Sequence, residues 1–315
     1  MCSVNTDSLQ EMIPITTEIF PGTSATCRKC GGTPVEVVLR KTDPYCRACF
    51  LTYVTHKFRS CIGKHKLVPV GAEVLVCTSG GLASSALLHL VHEGVTLTSL
   101  KKLRVQPAFL HVDERCASAF SRQGENAEQS SSSSFAGDAE YACRAVVQLG
   151  YPCYYTTLEA ILSPVPIAPL LYKRGSSVEV LHQQSTSAVL QRHLQQLLTD
   201  CSSSTARESV VRVLLQRSLA VSCSRLGYTR LFAGHSATQV AVTILSDVAE
   251  GRGAHTAQHV NFRHVDSDSG VEVFRPLREV LEDELLHYLT INDIPYTRQK
   301  HTVRQPLWSI LCLLL

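Results

Sequence analysis

Two cysteine pairs near the N-terminus, Cys27-x-x-Cys30 and Cys46-x-x-Cys49, lie 15 residues apart and constrain this chain more than any other feature. Each pair puts two thiolates on one tight turn. Two such turns brought together make a tetrahedral four-sulfur site that suits zinc and leaves no open position for catalysis. Gly31 and Gly32 directly after the first pair give the backbone the freedom such a turn needs. Reduced core cysteines and a redox-active pair are the other ways to use such thiols, and an iron–sulfur cluster shares the spacing; two spaced pairs favour a metal. The chain has 13 cysteines, but Met1-Cys2-Ser3-Val4-Asn5 lacks the basic start and apolar run of a signal peptide, so the thiols are expected to be reduced and the protein intracellular. The apolar run 307–315 is far shorter than the roughly 20 residues that cross a bilayer, and no membrane partner is expected.

Residues 1–24 lack periodicity and contain Pro14, Pro21 and Gly22, which reads as a flexible leader. A cysteine module and a connecting helix are expected over 25–66. Leu51, Val54, Phe58 and Cys61 fall at helical spacing, with cations on the other side. The net charge is only +3, but residues 1–66 hold nine Lys and Arg against five Asp and Glu, leaving 21 against 22 elsewhere. A zinc ion on four thiolates carries a net charge of about −2, so the basic face there is modest. Lys57, Arg59, Lys64 and Lys66 are the cations that fit RNA phosphates, and a solvated helix face is the alternative.

Beyond residue 67 the pattern changes. Short apolar runs at 74–77, 108–112, 153–156, 231–233 and 271–274 alternate with amphipathic stretches at 84–93, 138–149, 188–198, 206–226, 238–249 and 279–289. Apolar runs bounded by turns and separated by helices predict a doubly wound α/β domain with a parallel sheet over 67–300. The Ser-rich stretch around 130–134 and residues 164–187 are expected as surface loops, and 301–315 as an atypical apolar tail of a truncated or alternative product.

Thr78-Ser79-Gly80-Gly81-Leu82-Ala83-Ser84-Ser85 follows the first of these strands and opens a helix. A Ser-Gly-Gly turn there presents backbone N–H groups and a hydroxyl to an anion at the positive end of the helix. It lacks the Lys of a Walker A loop and the glycine spacing of a dinucleotide fingerprint.

The Ser79-Gly80-Gly81-x-x-Ser84 element resembles the loop of the ATP-pyrophosphatase (PP-loop) superfamily, which has an adenine nucleotide alpha hydrolase-like fold. Phe109-Leu110-His111-Val112-Asp113 resembles that superfamily's second strand, Ala233-Gly234-His235-Ser236-Ala237 its Gly-His-Asn turn, and Phe274-Arg275-Pro276-Leu277 its Arg-Pro-Leu segment. With the preceding cysteine module, the chain is similar to the family of cytoplasmic tRNA 2-thiolation partner subunits. The resemblance implies nucleotide contacts, now vestigial, at Ser79, Gly80, Gly81, Ser84, His111, Gly234 and His235.

The chemistry expected of an active member is missing. Ala83 stands where active members carry an Asp for Mg²⁺ and phosphates, and Thr238 and Gln239 stand where two acids would hold metal. A Cys-x-x-Cys for sulfur transfer is also absent from the region of Cys201, leaving that thiol as the one catalytic candidate against a plain surface role. The resemblance therefore implies a supporting, tRNA-binding subunit of a heterodimer that installs sulfur at C2 of wobble uridine. Its catalytic partner subunit would handle ATP and Mg²⁺, and a ubiquitin-related modifier would carry the sulfur. An autonomous PP-loop ligase and a zinc-ribbon scaffold without nucleotide chemistry are the alternatives. Asp113-Glu114 fits a metal ligand pair or, more simply, a helix N-terminus.

Overall fold

The computed structural model describes residues 26–64, 68–98, 102–121, 133–165 and 167–297. The leader, Lys66, most of the Ser-rich stretch and the 301–315 tail lie outside the described residues. The chain divides into two compact units, Met1–Tyr53 and Val54–Leu315.

The first unit holds a hairpin of β1 (Val37–Leu39) and β2 (Asp43–Tyr45), paired antiparallel. Arg40 and Lys41 turn it with positive φ values of 53° and 62°. Helix α1 (Arg47–Gly63) starts directly after Cys46, so Cys49 sits in its first turn, and the division between units falls within this helix. The expected connecting helix thus begins inside the cysteine module, and its residues from Val54 onward belong to the second unit. There Val54, Phe58 and Cys61 are buried, the stripe that their spacing predicts.

The second unit is a seven-stranded sheet. Its strands are β3 (Ala72–Cys77), β4 (Val105–Asp113), β5 (Cys153–Thr157), β6 (Leu170–Tyr172), β7 (Arg230–Phe232), β8 (Arg263–Val265) and β9 (Glu272–Phe274). They lie in the order β6-β5-β4-β3-β7-β9-β8. The five central strands are parallel, while β6 and β8 pair antiparallel at the edges. The sheet is therefore mixed, not wholly parallel. The helices are α2 (Leu82–Thr96), α3 (Arg115–Ser121), α4 (Ser133–Gln148), α5 (Val178–Ser185), α6 (Ala188–Thr199), α7 (Ser204–Arg225), α8 (Ala237–Ala249), α9 (Thr256–Val260) and α10 (Glu282–Ile291). Residues 164–187, expected as loop, contain β6 and α5. Ser177 caps α5 by accepting from Glu179 N–H, and Val178, Leu181 and Ser185 are its buried side.

β3 is the centre of the fold. Val74, Leu75 and Val76 are buried on both faces, as a continuous apolar strand requires. Leu75, Ala108, Leu110, Val112, Leu231 and Val273 pack on one side against Leu194 and Leu198 of α6 and Cys223 of α7. Alternation sends Phe109, Phe232 and Phe274 to the other side, where Phe274 meets Phe232 edge-on at 5.8 Å and Phe262 edge-on at 5.6 Å. Each such fully buried side chain contributes about 1.5–3 kcal/mol.

Lys57 reaches the buried Glu284 carboxylate at 2.8 Å, and Glu284 also accepts from Leu281 N–H at the start of α10. One cation thus neutralises a carboxylate that is 1% exposed. Removing one partner of a buried pair leaves an uncompensated charge. Lys57→Ala is expected to lower the unfolding free energy by about 3 kcal/mol in urea titrations, with Glu284→Gln in the same chain restoring most of it. A loss within about 0.5 kcal/mol would place the pair among surface contacts.

Candidate functional site

The four cysteines converge. Cys27, Cys30, Cys46 and Cys49 each offer a sulfur, and these atoms all lie within 4.8 Å of one another. The first turn is built by Gly31 N–H donating to Cys27 O and Cys27 N–H donating to Gly32 O, with Gly31 at φ +69°. A side chain at Gly32 would press on Cys30 Sγ at 3.4 Å. Arg28 N–H donates to Pro44 O, which ties this turn to β2 and brings the second pair close. The Cys30 and Cys46 sulfurs are 3.8 Å apart. That is the edge of a tetrahedron with metal–sulfur bonds of about 2.3 Å, so the four thiols could bind a metal ion.

The thiols are prepared unequally. Backbone N–H groups from Cys46 and Cys30 point at Cys27 and, against the cost of desolvation, bring its pKa down to about 6. Burial, followed by the neighbouring thiols, pushes Cys49 up to about 12. A metal ion would supply the positive charge that lets all four ionise.

The second constellation sits at the C-terminal ends of the central strands. The chain builds outward from β3 to β4 and β5, then crosses back to β7, so β3 and β7 flank the point where strand order reverses. The Ser79–Ser84 turn lies there. Gly80 has φ +80°, and a side chain on it would meet Thr297 Oγ1 at 3.2 Å, Ala142 Cβ at 3.3 Å and Asp138 O at 3.4 Å. Gly80 O accepts from Thr297 N–H at 2.8 Å and Ser85 Oγ at 3.1 Å. Ser79 Oγ and Ser84 Oγ are 3.1 Å apart, and Ser84 Oγ donates to Gly81 O. Gly81 is the N-cap of α2 and no side chain caps that helix, so its first-turn N–H groups face the turn as anion donors.

His111, at the end of β4, donates from Nδ1 to Thr78 O at 2.9 Å and stacks on Tyr155 at 5.9 Å. Burial pushes its pKa down, so it is a neutral brace for the loop. Gly234, after β7, packs so close that a Cβ would lie 3.4 Å from Ser84 Cα and 3.5 Å from Ala83.

The positions without acids have other work. Gln239 Oε1 accepts from Ser236 N–H while Ser236 Oγ accepts from Gln239 N–H, a capping box that starts α8. Thr238 Oγ1 accepts from Glu282 N–H at the start of α10. Asp113 behaves as a helix-start residue: Oδ1 accepts from Arg115 N–H and Oδ2 from Arg115 Nε and Tyr155. Burial opposes its ionisation, and Arg115 outweighs that and holds the carboxyl below its usual range.

Other residues singled out in the sequence are dispersed. Lys57 is paired with Glu284, Arg59 is half-buried with no partner for its Nε among the described residues, and Lys64 is exposed. Cys201 donates to Leu197 O at 3.2 Å at the end of α6. A cleft of about 740 Å³ opens elsewhere, between α4 and the β6–α5 turn, where Glu140 is held by Tyr172 and Val178 N–H. Tyr155 and Thr297 were not marked in the sequence. Tyr155 lies in an apolar run, where an aromatic is unremarked, and the segment of Thr297 carries no motif.

No protein-family profile matches the chain. Its fold is similar to that of the U34-tRNA thiolase NcsA from Methanococcus maripaludis, solved with its 4Fe–4S cluster. The TM-score is 0.57 over 88% of this chain and 75% of that one, at 17% identity. The chain thus has the PP-loop fold, a mixed sheet between helices, and the cysteine cluster precedes it in the sequence. Its curated homologues are named cytoplasmic tRNA 2-thiolation protein 2. The identity is 28% over 94% of this chain for Danio rerio, 27% over 84% for Xenopus tropicalis and 27% over 92% for Aedes aegypti. The chain spans 63%, 58% and 62% of those relatives' lengths. Among the described residues no helix is long and apolar enough to cross a membrane.

Gly80→Ala is expected to cost about 1–2 kcal/mol for its left-handed backbone, with an added cost from the close Ala142 and Asp138 contacts. Thermal denaturation of the full chain reads this, and an unchanged midpoint would show that the turn is not held in this conformation.

Proposed function

We propose that this chain is a non-adenylating, tRNA-binding subunit of a cytoplasmic heterodimer that installs sulfur at C2 of wobble uridine, U34. The observation that carries the proposal is the pairing of homology along nearly the whole chain with a PP-loop whose acid positions serve other ends. Ala83 offers no carboxylate, and Thr238 and Gln239 start two helices. The catalytic partner transfers AMP from ATP to the uridine C2 oxygen with release of pyrophosphate. The thiocarboxylate sulfur of a ubiquitin-related modifier then displaces the AMP, and hydrolysis of the modifier's acyl–sulfur bond leaves the sulfur on C2 and the modifier as its carboxylate. This chain supplies tRNA contacts at Arg59, Lys64 and Lys66, with Lys57 securing α1, the helix that carries Arg59. Whatever nucleotide contact it keeps is made by Ser79, Gly80 and the first turn of α2.

The cysteine site is assigned to one structural zinc ion. Support comes from the 3.8 Å sulfur separation and the lack of an open position in a four-thiolate set. A four-iron cluster puts one iron at each thiolate and spreads the sulfurs farther apart. Zinc contributes folding free energy to a unit whose described part, residues 26–53, buries few side chains of its own.

ATP–pyrophosphate exchange and U34 thiolation, measured with the chain alone and with the catalytic subunit, test the assignment. The chain alone should be inactive in both and should be required for thiolation by the partner. Exchange by the chain alone would establish an autonomous ligase, and thiolation indifferent to the chain would leave a scaffold. Elemental analysis should find one zinc per chain and none after Cys27→Ser with Cys30→Ser; iron with sulfide, or no metal in the wild type, would overturn the zinc assignment.

A further inference from the structure

Arg174, Gly175, Ser176 and Ser177, in the turn between β6 and α5, line the cleft of about 740 Å³ together with Glu140 and Arg144 of α4. Ser176 N–H donates to Lys173 O at 2.9 Å, and Gly175, at φ +86°, supplies the left-handed position that such a tight turn needs. Lys173, Arg174 and Gly175 are exposed, and Ser176 is half-buried. The turn therefore projects two adjacent cations from the edge of the sheet, with a serine two residues behind the second.

Charge is unbalanced here. Neither Lys173 nor Arg174 enters an ion pair among the described residues. The carboxylates that line the cleft are already committed. Glu140 accepts from Tyr172 O–H at 2.6 Å, Val178 N–H at 2.8 Å and Arg144 at 3.3 Å, and Glu179 accepts from Arg115 at 2.8 Å. The two serines also differ in what they already do. Ser177 Oγ accepts from Glu179 N–H at 3.2 Å and caps α5, whereas Ser176 Oγ has no such task among the described residues. It lies in the wall of an open cleft, where an added phosphate has room.

Kinases that select basic substrates read cations two and three positions before the acceptor serine with acidic pockets of their own. Arg174 is two positions before Ser176, and Lys173 is three. A phosphoserine carries about −1.5 to −2 at neutral pH, which matches the charge left over on the turn. Arg144 lines the same cleft with its side chain 63% exposed, a further cation for the phosphate oxygens.

We propose that Ser176 is a phosphorylation site for a serine kinase of the base-selecting class, and that Arg174 and Arg144 clasp its phosphate in the cleft. Ser176 Oγ attacks the γ-phosphorus of ATP as the kinase's catalytic carboxylate takes the hydroxyl proton. The bond from that phosphorus to the β–γ bridging oxygen breaks, and ADP leaves with its electron pair. The clasp ties the turn to α4 and steadies α5, which sets Glu179 against Arg115 and His182 against Tyr155 at 3.2 Å. The tRNA reading above is not needed for it.

The full chain is incubated with ATP and the catalytic subunit of cyclic-AMP-dependent kinase, and the phosphate is located by peptide mass spectrometry. The wild type is expected to carry it on Ser176, Ser176→Ala to carry none on this turn, and Arg174→Gln to accept it about tenfold more slowly. Hydrogen exchange then compares the modified and unmodified wild type. Amides over 177–185 are expected to exchange about three- to tenfold more slowly once the phosphate is present, and Arg144→Gln to lose that protection while keeping the phosphate. A folded wild type that takes no phosphate on this turn, or takes it on Ser177 with Ser176 unmodified, would overturn the site. Phosphate on Ser176 with unchanged exchange over 177–185 would overturn the clasp.

Discussion

The structure depends on a strand that is buried on both of its faces. β3 has no solvated side, so helices must cover the sheet above and below, and the chain can leave the strand only at its ends. The turn at its carboxyl end is consequently pressed between α2, α4, the segment of Thr297 and the start of α8. Only a residue without a side chain fits at Gly80, and Gly234 gives the neighbouring strand the same close approach. The phosphate-cradle shape of the turn follows from this packing. It survives here whether or not a nucleotide uses it.

The carboxyl edge of the sheet combines such retained geometry with reassigned chemistry. His111, neutral and stacked on Tyr155, braces the loop through a backbone carbonyl. Asp113 is saturated by Arg115 and Tyr155 and begins α3. Across β3, the edge of β7 and β9 is different, with the buried guanidinium of Arg275 in no ion pair among the described residues and His259 paired with Asp247.

Much of this was legible in the sequence because it is local. Leu75 and Val76 belong to a short apolar run bounded by turn residues, and the cysteine pairs announce through spacing alone a four-thiol cluster that could hold a metal ion. The edge elements were not legible. β6 and β8 are three residues each, too short for alternation to register, and α5 has only Ser177 and three buried positions to signal it. Long-range pairing was equally hidden: Lys57 and Glu284 are 227 residues apart, so the helix that reads as a basic face turned one of its cations inward. Arg275 was visible within a motif, but its missing counterion appears only when β7 and β9 are placed side by side.

The capping box at the start of α8 bears on what a carboxylate placed there could do. Gln239 is oriented by its bond to Ser236 N–H, and Glu would satisfy the same box, so a carboxylate restored there would be drawn back onto the backbone instead of out toward a metal. Asp is one methylene shorter and would weaken the helix start in exchange for its charge. Thr238 adds a second lock, because any acid in its place must also serve the start of α10. A carboxylate placed at either position is therefore met by a helix end that already uses the position.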